Sequence, residues 1–308
     1  MNLYINDETS RLKKVVLGIG NSFGGTPTLE EAYDPKSKEH IRLGKYPVEK
    51  DIIDEMEAFA EVLKKYNVEV YRPEIIKNYN QVFSRDIAFV IDDKFIKTHV
   101  IKEREREIDA LNEVIEQINP EQVITPPEGV QIEGGDVMPW KEFLIVGYSK
   151  EPDFSKYTVA RTNEAGLKFL AETFPEKKIR GFELNKSDDE PRDNALHLDC
   201  CFQPVSDHKA ILYKDGFKNI EDYNRIVNYF GKENIFEITR DEMYNMYSNV
   251  FSISKKVVVS EKSFTRLNEH MRNEWGMTVE EIPYSEISKM EGLLRCSTMP
   301  LERVSTTL

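Results

Sequence analysis

The sequence predicts a mixed α/β fold in which five β-β-α-β units close into a propeller-like ring. Three observations predict it. Strand-like apolar runs alternate with amphipathic helical segments, the alternation recurs roughly every 45–55 residues, and each unit ends in a short strand near a proline or a turn. Because one repeat cannot bury its apolar face alone, the array is expected to fold as a unit. We therefore expect one domain over residues 1–308.

Five helices are predicted from apolar side chains at helical spacing, such as Ile53, Met56 and Phe59 on the first. They cover about Lys50–Tyr66, Arg104–Ile118, Asn163–Thr173, Glu221–Phe230 and Lys262–Trp275. Strand-like runs flank them at 14–18 and 68–73, 87–96 and 122–127, 137–149 and 178–184, 198–214 and 234–239, 249–262 and 279–284, and a final segment follows at 293–301.

Two polar segments interrupt this pattern. The first, Asn21–Arg42, is long enough to be a lid or rim loop, and it contains His40. The second, Asn185–Asp193, is highly charged and precedes His197, the most informative histidine. We find no Pro/Gly/Ser-rich linker that would mark a domain boundary.

The charge balance excludes some partners. The formal net charge of -13 disfavours nucleic acid, since an acidic chain repels phosphate backbones, and it suits a small cationic substrate. No apolar stretch reaches membrane-spanning length, and the N-terminal segment is polar. We therefore expect a cytoplasmic protein with no membrane and no nucleic-acid partner.

The three cysteines also favour a cytoplasmic location. Cys200 and Cys201 are adjacent, Cys296 is distant, and no CxxC spacing is present. A zinc site or a disulfide framework is therefore not expected, and the low count fits a reducing compartment. Cys200 and Cys201 are expected to be core residues of a strand, one facing each side.

Titratable side chains recur where a turn meets a strand. A ring architecture would bring these distant segments to a common centre, although spacing alone does not establish it. The candidates are Asp86 in FSRD, Glu133 and Asp136 in IEGGD, His197 and Asp199 in HLD, and Cys296 in LLRCSTMPL.

These segments carry a family resemblance. FSRD at 83–86, IEGGD at 132–136, RTNEAG at 161–166, HLDCCFQPV at 197–205 and RCSTMPLER at 295–303 resemble the motif series of the guanidino-group-modifying enzymes, or penteins. That superfamily includes arginine deiminase, dimethylarginine dimethylaminohydrolase and the amidinotransferases. The motif order matches over nearly the whole chain, and IEGGD, RTN and RCSTMPL look closer to the first two. The resemblance implies a five-bladed α/β propeller with a central active site, no metal and no cofactor.

The resemblance also implies residue roles. Cys296 would attack the guanidinium carbon as a thiolate, which is the nucleophilic form of cysteine. His197 would serve as general acid and base, held by Glu133. The substrate-binding residues would be Asp86 and Asp199 on the guanidinium, Arg161 on the far end of the substrate, often an α-carboxylate, and Asp136, which would assist in binding or stabilise its own loop.

The sequence departs from the family pattern in places. Cys200 stands where a threonine usually follows HLD, and Glu291 stands where a second glycine often precedes the nucleophile loop. Arginine deiminases are also longer, with a helical insert for which this chain has no room. These departures leave the substrate open.

We therefore expect a hydrolase of arginine or a methylated arginine that releases citrulline and ammonia or an amine. The alternative is an amidinotransferase that passes the amidino group to an acceptor amine. A non-catalytic binding protein on the same propeller is disfavoured, because it would need no Cys/His/acid set. The expected partner is a small guanidino molecule, and the sequence leaves open whether the chain forms a homodimer.

Overall fold

The structure is a computed structural model that describes residues 1–304. Within that range its strands are β1 (Arg11–Leu17), β2 (Glu69–Tyr71), β3 (Ala88–Ile91), β4 (Lys94–Lys97), β5 (Val123–Ile124), β6 (Val137–Trp140), β7 (Phe143–Tyr148), β8 (Lys178–Glu183), β9 (Phe202–Val205), β10 (Lys209–Leu212), β11 (Ile235–Glu237), β12 (Phe251–Ser254), β13 (Val257–Glu261), β14 (Thr278–Ile282) and β15 (Thr298–Val304).

The α-helices are separated by several short 3₁₀ turns. In chain order they are α1 (Pro35–Arg42), α2 (Glu49–Lys65), α3 (Ser84–Ile87), α4 (Asn112–Ile115), α5 (Asp153–Lys156), α6 (Glu164–Thr173), α7 (Ile220–Phe230), α8 (Arg240–Tyr244) and α9 (Thr265–Asn273). No helix of residues 1–304 combines the length and apolarity needed to cross a bilayer.

The strands form five sheets of three strands each. Their orders are β15-β1-β2, β3-β4-β5, β6-β7-β8, β11-β10-β9 and β12-β13-β14. In every sheet the central strand pairs antiparallel with one neighbour and parallel with the other. The parallel pair requires a crossover, and the helical segment of each unit supplies it. The predicted β-β-α-β repeat and mixed α/β class are confirmed.

The two ends of the chain meet in one sheet. The predicted final segment becomes β15, which pairs with β1 from Arg11 opposite Val304 to Leu17 opposite Thr298. The first sheet therefore takes one of its two edge strands, β15, from the C-terminal part of the chain. This pairing also fixes the segment that carries Cys296 against the N-terminal strand.

One predicted helix is wrong over most of its length. The segment Arg104–Ile118 consists of 3₁₀ turns at Lys102–Arg104 and Glu107–Leu111, followed by only one α-helical turn, α4. The buried side chain of Arg104 turns inward to pair with Asp86 and Glu107. An argument from apolar spacing cannot detect this ionic anchor.

The long polar segment at 21–42 is not a loop throughout. Its last part is α1, whose N-cap Asp34 accepts a hydrogen bond from the backbone N–H of Ser37 at 2.6 Å, with Pro35 in the first turn. Asp34, Lys36 and Ser37 are buried. The start of this helix is therefore part of the protein interior rather than a solvated rim.

Candidate active site

In each sheet, a short buried segment precedes the first strand and carries a candidate functional residue. Four of them precede β3, β6, β9 and β15, and hold the residues predicted from the sequence. The fifth precedes β12 and holds Asn249, which is fully buried. The first strands β3, β6 and β9 are buried at every position, so the segments before them lie in the interior as well.

His197 lies between two carboxylates. Its Nε2 is 2.9 Å from Oε2 of Glu133, and its Nδ1 is 3.7 Å from Oδ1 of Asp86. Burial lowers the pKa of His197, but Asp86 and Glu133, with a contribution from Asp136, outweigh burial and raise that pKa to about 9. The imidazole is therefore protonated at neutral pH.

Glu133 is ionised by its neighbours. Burial raises the pKa of Glu133, but the guanidinium of Arg161 and the hydrogen bond with His197 lower it to about 2. All three side-chain nitrogens of Arg161 are engaged, with the carbonyl of Thr158 at 2.9 Å, Oε1 of Glu133 at 3.4 Å and the carbonyl of Tyr33 at 3.5 Å. Arg161 therefore contacts Oε1 of Glu133, the oxygen that does not contact His197.

Asp86 is anchored by a residue that the sequence analysis did not select. Its Oδ2 accepts a hydrogen bond from Nη1 of Arg104 at 2.7 Å. Arg104 also binds both carboxylate oxygens of Glu107, at 2.6 and 2.9 Å. Among the described residues, Oδ1 of Asp86 and Nδ1 of His197 have no hydrogen-bond partner, so both can receive a ligand.

Asp199 belongs to a second buried ion-pair network. Its Oδ2 accepts a hydrogen bond from Nη1 of Arg295 at 2.8 Å, and Arg295 also contacts both oxygens of Glu8 at 3.1 Å. The backbone carbonyls of Gly135 and Val137 accept further hydrogen bonds from Arg295. Arg295 therefore ties the N-terminal segment and three site segments together.

Cys296 lies next to Asp199. Its Sγ is 3.6 Å from Oδ2 of Asp199 and 3.2 Å from Nδ2 of Asn249, and its N–H donates to Oδ1 of Asn249 at 3.1 Å. Burial, together with the carboxylates of Asp199 and Asp86, raises the pKa of the Cys296 thiol well above its usual value. The side chain is therefore a protonated thiol when no cation is bound.

Two glycines permit the close approach of these segments. A Cβ on Gly134 would lie 2.1 Å from the carbonyl oxygen of Arg85, and a Cβ on Gly135 would lie 2.6 Å from Cγ of His197. A larger residue at 134 would clash with the backbone of the segment that carries Asp86, and a larger residue at 135 would clash with the imidazole. The paired glycines of the IEGGD motif are thus explained by close packing against Arg85 and His197.

Asp136 acts on the backbone of the next segment. Its Oδ1 accepts a hydrogen bond from the N–H of Leu198 at 2.9 Å. Burial raises the pKa of Asp136. This contact connects the turn before β6 with the turn that carries His197 and Asp199.

The prediction for Cys200 and Cys201 is partly wrong. Both are buried, as expected, but neither lies in a strand. Cys200 ends a 3₁₀ turn, Leu198–Cys200, and β9 begins only at Phe202. Sγ of Cys201 contacts the carbonyl of Leu198 at 3.4 Å, and this contact stabilises the turn.

One cluster within the described chain has potential metal ligands. Atoms of Asp86, Glu133 and His197 lie within 4.8 Å of one another. Arg104 occupies Oδ2 of Asp86, and Arg161 and His197 occupy the two oxygens of Glu133. Too few ligand atoms are left in this cluster to complete the coordination of a metal ion.

A cavity of about 390 Å³ is lined in part by the segment at 23–46. Tyr33, Glu107 and Met290 form part of its wall. Glu107 is one guanidinium away from Asp86, and the ring of Tyr33 lies 5.4 Å from Cζ of Arg161. Cys296, His197, Asp86, Glu133 and Asp199 are not among the described residues that line it.

Asn249, Arg295 and Arg104 were not predicted from the sequence. Asn249 stands before the first strand of its unit, as the other site residues do, but its side chain is neither acid, base nor nucleophile. Arg295 is adjacent to Cys296, yet only the folded chain shows its partners at Glu8 and Asp199.

Comparison with known proteins identifies the family of this chain. The family model described as "N,N dimethylarginine dimethylhydrolase, eukaryotic" matches residues 30–303. The chain belongs to this family. The dimethylarginine dimethylhydrolase family lies within the penteins, which confirms the predicted superfamily. The chain is also 31% identical over 254 residues to the uncharacterized protein YkgA of Bacillus subtilis (strain 168), covering 81% of this chain and 80% of YkgA.

Solved structures of low sequence identity share the fold of this dimethylarginine dimethylhydrolase family member. The amidinotransferase SxtG of Microseira wollei has a TM-score of 0.75 at 15% identity, covering 99% of this chain and 98% of SxtG. The N-terminal domain of ArgZ, a cyanobacterial arginine dihydrolase, has a TM-score of 0.77 at 17% identity, covering 94% and 97%. The inosamine-phosphate amidinotransferase StrB1 of Streptomyces griseus has a TM-score of 0.75 at 13% identity, covering 99% and 97%.

Proposed function

We propose that the protein hydrolyses guanidino compounds at the guanidinium carbon through a covalent Cys296 amidino intermediate. Arginine and methylated arginines, which would yield citrulline and ammonia or an amine, are the substrates that the family resemblance favours. One observation carries the proposal: the turn at 197–199 holds both His197, an imidazolium that contacts Glu133 and Asp86, and Asp199, a carboxylate that contacts the buried thiol of Cys296.

Asp86 and Asp199 would bind the substrate guanidinium. A planar cation with several N–H donors suits carboxylates that can accept paired hydrogen bonds. Oδ1 of Asp86 is free for this role, while Arg104 holds its other oxygen. Arg295 similarly fixes Oδ2 of Asp199. Each carboxylate is thus oriented by a buried arginine before the substrate arrives.

The substrate would also activate the nucleophile. The carboxylates of Asp199 and Asp86 disfavour a Cys296 thiolate, and a bound guanidinium offsets their charge. The thiol proton leaves to solvent, because His197 already carries a proton, and the thiolate adds to the guanidinium carbon, so that a C–S bond forms as one C–N π bond breaks. His197 donates its proton to the departing nitrogen as the C–N bond breaks, which leaves a covalent amidino thioether and a neutral imidazole.

Water would complete the reaction. The neutral imidazole of His197 takes a proton from water as the water oxygen bonds to the same carbon. The C–S bond then breaks, the remaining hydroxyl proton passes to the departing sulfur to restore the thiol, and the product leaves with a neutral urea group. Glu133 stabilises the imidazolium in both half-reactions, and its Arg161 partner keeps it ionised.

We also propose that the five sheets are blades of a closed propeller in one catalytic domain. The pairing of β15 with β1 and the contacts of Arg295 with Glu8, Asp199 and the Gly135 carbonyl support this arrangement.

We also propose a cytoplasmic location, since all three cysteines are free and none forms a disulfide within residues 1–304.

A product screen tests hydrolysis against amidino transfer. Arginine and methylated arginines are incubated with the protein, with and without glycine or lysine as acceptor. Citrulline without an acceptor supports hydrolysis. Ornithine that appears only with an acceptor establishes transfer instead, and no product from any guanidino compound contradicts both.

A further inference from the structure

Glu291 stands directly before the nucleophile loop, which comprises residues 292–296. Its backbone is left-handed, with φ 59° and ψ 33°. A residue with a Cβ is strained in this conformation, whereas glycine is not. Glu291 is also only 4% exposed. A strained and buried acid at this position needs contacts that offset its cost.

The carboxyl of Glu291 joins two other segments to the nucleophile loop. Its Oε1 accepts a hydrogen bond from Nδ2 of Asn194 at 2.6 Å, and its Oε2 accepts one from the N–H of Lys36 at 3.4 Å. It also hydrogen-bonds with Asp34, the N-cap of α1. Burial and the Asp34 carboxylate raise the pKa of Glu291 well above its usual value. Glu291 therefore binds as a neutral carboxyl, which an amide can imitate.

The contact with Asn194 reaches the segment that carries His197. Asn194 is buried and lies three residues before His197. Nζ of Lys186 donates to the carbonyls of the two residues between them, Ala195 at 2.8 Å and Leu196 at 2.7 Å. Because these residues are fixed, a displacement of Asn194 is passed on to the imidazole.

The nucleophile loop transmits displacement to Cys296 in the same way. Every residue of this loop is buried. A Cβ on Gly292 would lie 2.4 Å from the ring of Phe83, so the start of the loop is tightly packed. The N–H and Oγ of Ser297 both donate to the carbonyl of Leu293, at 3.1 and 2.7 Å. The position of Glu291 therefore influences the position of the thiol.

We propose that Glu291 is a positioning residue that holds Cys296 and His197 in register through its hydrogen bond with Asn194. The inference rests on the proposed function, because this register matters when both groups act on one guanidinium carbon. Asp199, in the turn at 197–199, is one connection between the two groups. Glu291 adds a second one, between the residues that precede each of them. Two connections restrict relative rotation that a single contact permits, and attack geometry is sensitive to such displacements.

Three substitutions of Glu291 separate positioning from stability. Glu291→Gln keeps an acceptor for Asn194 and a donor for Asp34, and should retain kcat within about twofold. Glu291→Ala and Glu291→Gly lose both hydrogen bonds, and each should lower kcat about tenfold or more while KM changes less than about threefold. Glu291→Gly also relieves the left-handed strain, so its Tm should exceed that of Glu291→Ala. Recovery of kcat together with Tm in the glycine variant would overturn the proposal.

Asn194→Ala tests the same hydrogen bond from its other end. It should lower kcat about as much as Glu291→Ala, and the double variant should lose little more than either single variant, because both remove one contact. Asn268→Ala is the matched control, since Asn268 is equally buried and binds the carbonyl of Glu261 instead. It should retain the wild-type kcat. Fully additive losses in the double variant would contradict the proposed bridge.

Alkylation of Cys296 by iodoacetamide separates this inference from the proposed hydrolysis. A displaced loop weakens the burial and the Asp199 contact that raise the pKa of the thiol. Glu291→Ala and Asn194→Ala should therefore shift the pH dependence of alkylation to lower pH, and Asn268→Ala should not.

Turnover and alkylation together assign each outcome. If the wild-type protein turns over no guanidino compound but the alkylation shifts occur, the positioning role holds and hydrolysis is wrong. If the wild-type protein is active and Glu291→Ala changes neither kcat nor alkylation, hydrolysis holds and the positioning role is wrong. Absence of both turnover and shifts contradicts both hypotheses.

Discussion

Sγ of Cys296 lies 3.6 Å from Oδ2 of Asp199, the oxygen that Arg295 holds at 2.8 Å. Burial and the carboxylates of Asp199 and Asp86 raise the pKa of the thiol. The proposed nucleophile therefore lies beside a carboxylate that disfavours its thiolate form. Under the proposed function, a cationic substrate would offset this effect and restrict thiolate formation to the occupied site.

Alkylation kinetics test this relationship. In the free protein, the rate of Cys296 modification by iodoacetamide should keep rising through pH 9, since the thiol stays protonated at neutral pH. Asp199→Asn removes a negative charge and should move the curve to lower pH. Peptide mass spectrometry separates Cys296 from Cys200 and Cys201. A rate that is already constant below pH 7 in the wild-type protein would contradict the raised pKa.

The imidazole of His197 should titrate near pH 9, which NMR can measure. Its pKa is higher in the folded state than the usual 6.5, so its contribution to stability is fully present below about pH 6.5 and is lost as pH rises through 9. His197→Gln should remove this part of the pH dependence of Tm. Glu133→Gln should lower the pKa of His197 by about one unit or more. A wild-type His197 titrating below 6.5 would rule out the described electrostatics.

Arg295→Met should lower the free energy of unfolding by about 3–5 kcal/mol, because Glu8 and Asp199 would remain buried without their cation. Urea unfolding measures the change. The control is Arg272→Met, which removes an exposed pair with Glu281 and should cost about 1 kcal/mol or less. Equal losses in the two variants would show that the Arg295 network is not structural.

Asn249→Ala should lower kcat about tenfold to a hundredfold, since hydrogen bonds to charged groups are stronger than neutral ones. Loss of the donor to Sγ should also shift the Cys296 alkylation curve to higher pH. Asn268→Ala is the control, because Asn268 is equally buried and binds the carbonyl of Glu261 instead. A shift in the control as large as that in Asn249→Ala would assign the effect to general destabilisation.

Apolar spacing predicted the β-β-α-β repeat, and titratable residues marked the segments that precede β3, β6, β9 and β15. Both features are visible in the sequence itself. It did not indicate Asn249, which occupies the fifth position but is neither acid, base nor nucleophile. The interrupted helix after Arg104 was also missed, since apolar spacing does not show that Arg104 turns inward to pair with Asp86, 18 residues away in sequence. Contacts such as that of Asn194 with Glu291, 97 residues apart, arise only from the folded arrangement.

The central claim is that Cys296 forms a covalent bond with the guanidinium carbon. Rapid acid quenching during turnover of a guanidino substrate, followed by peptide mass spectrometry, measures it directly. The account predicts an amidino adduct on the Cys296 peptide that disappears when substrate is exhausted, and no turnover by Cys296→Ala. Turnover by Cys296→Ala at the wild-type rate, or an adduct on Cys200 or Cys201 alone, would contradict the account.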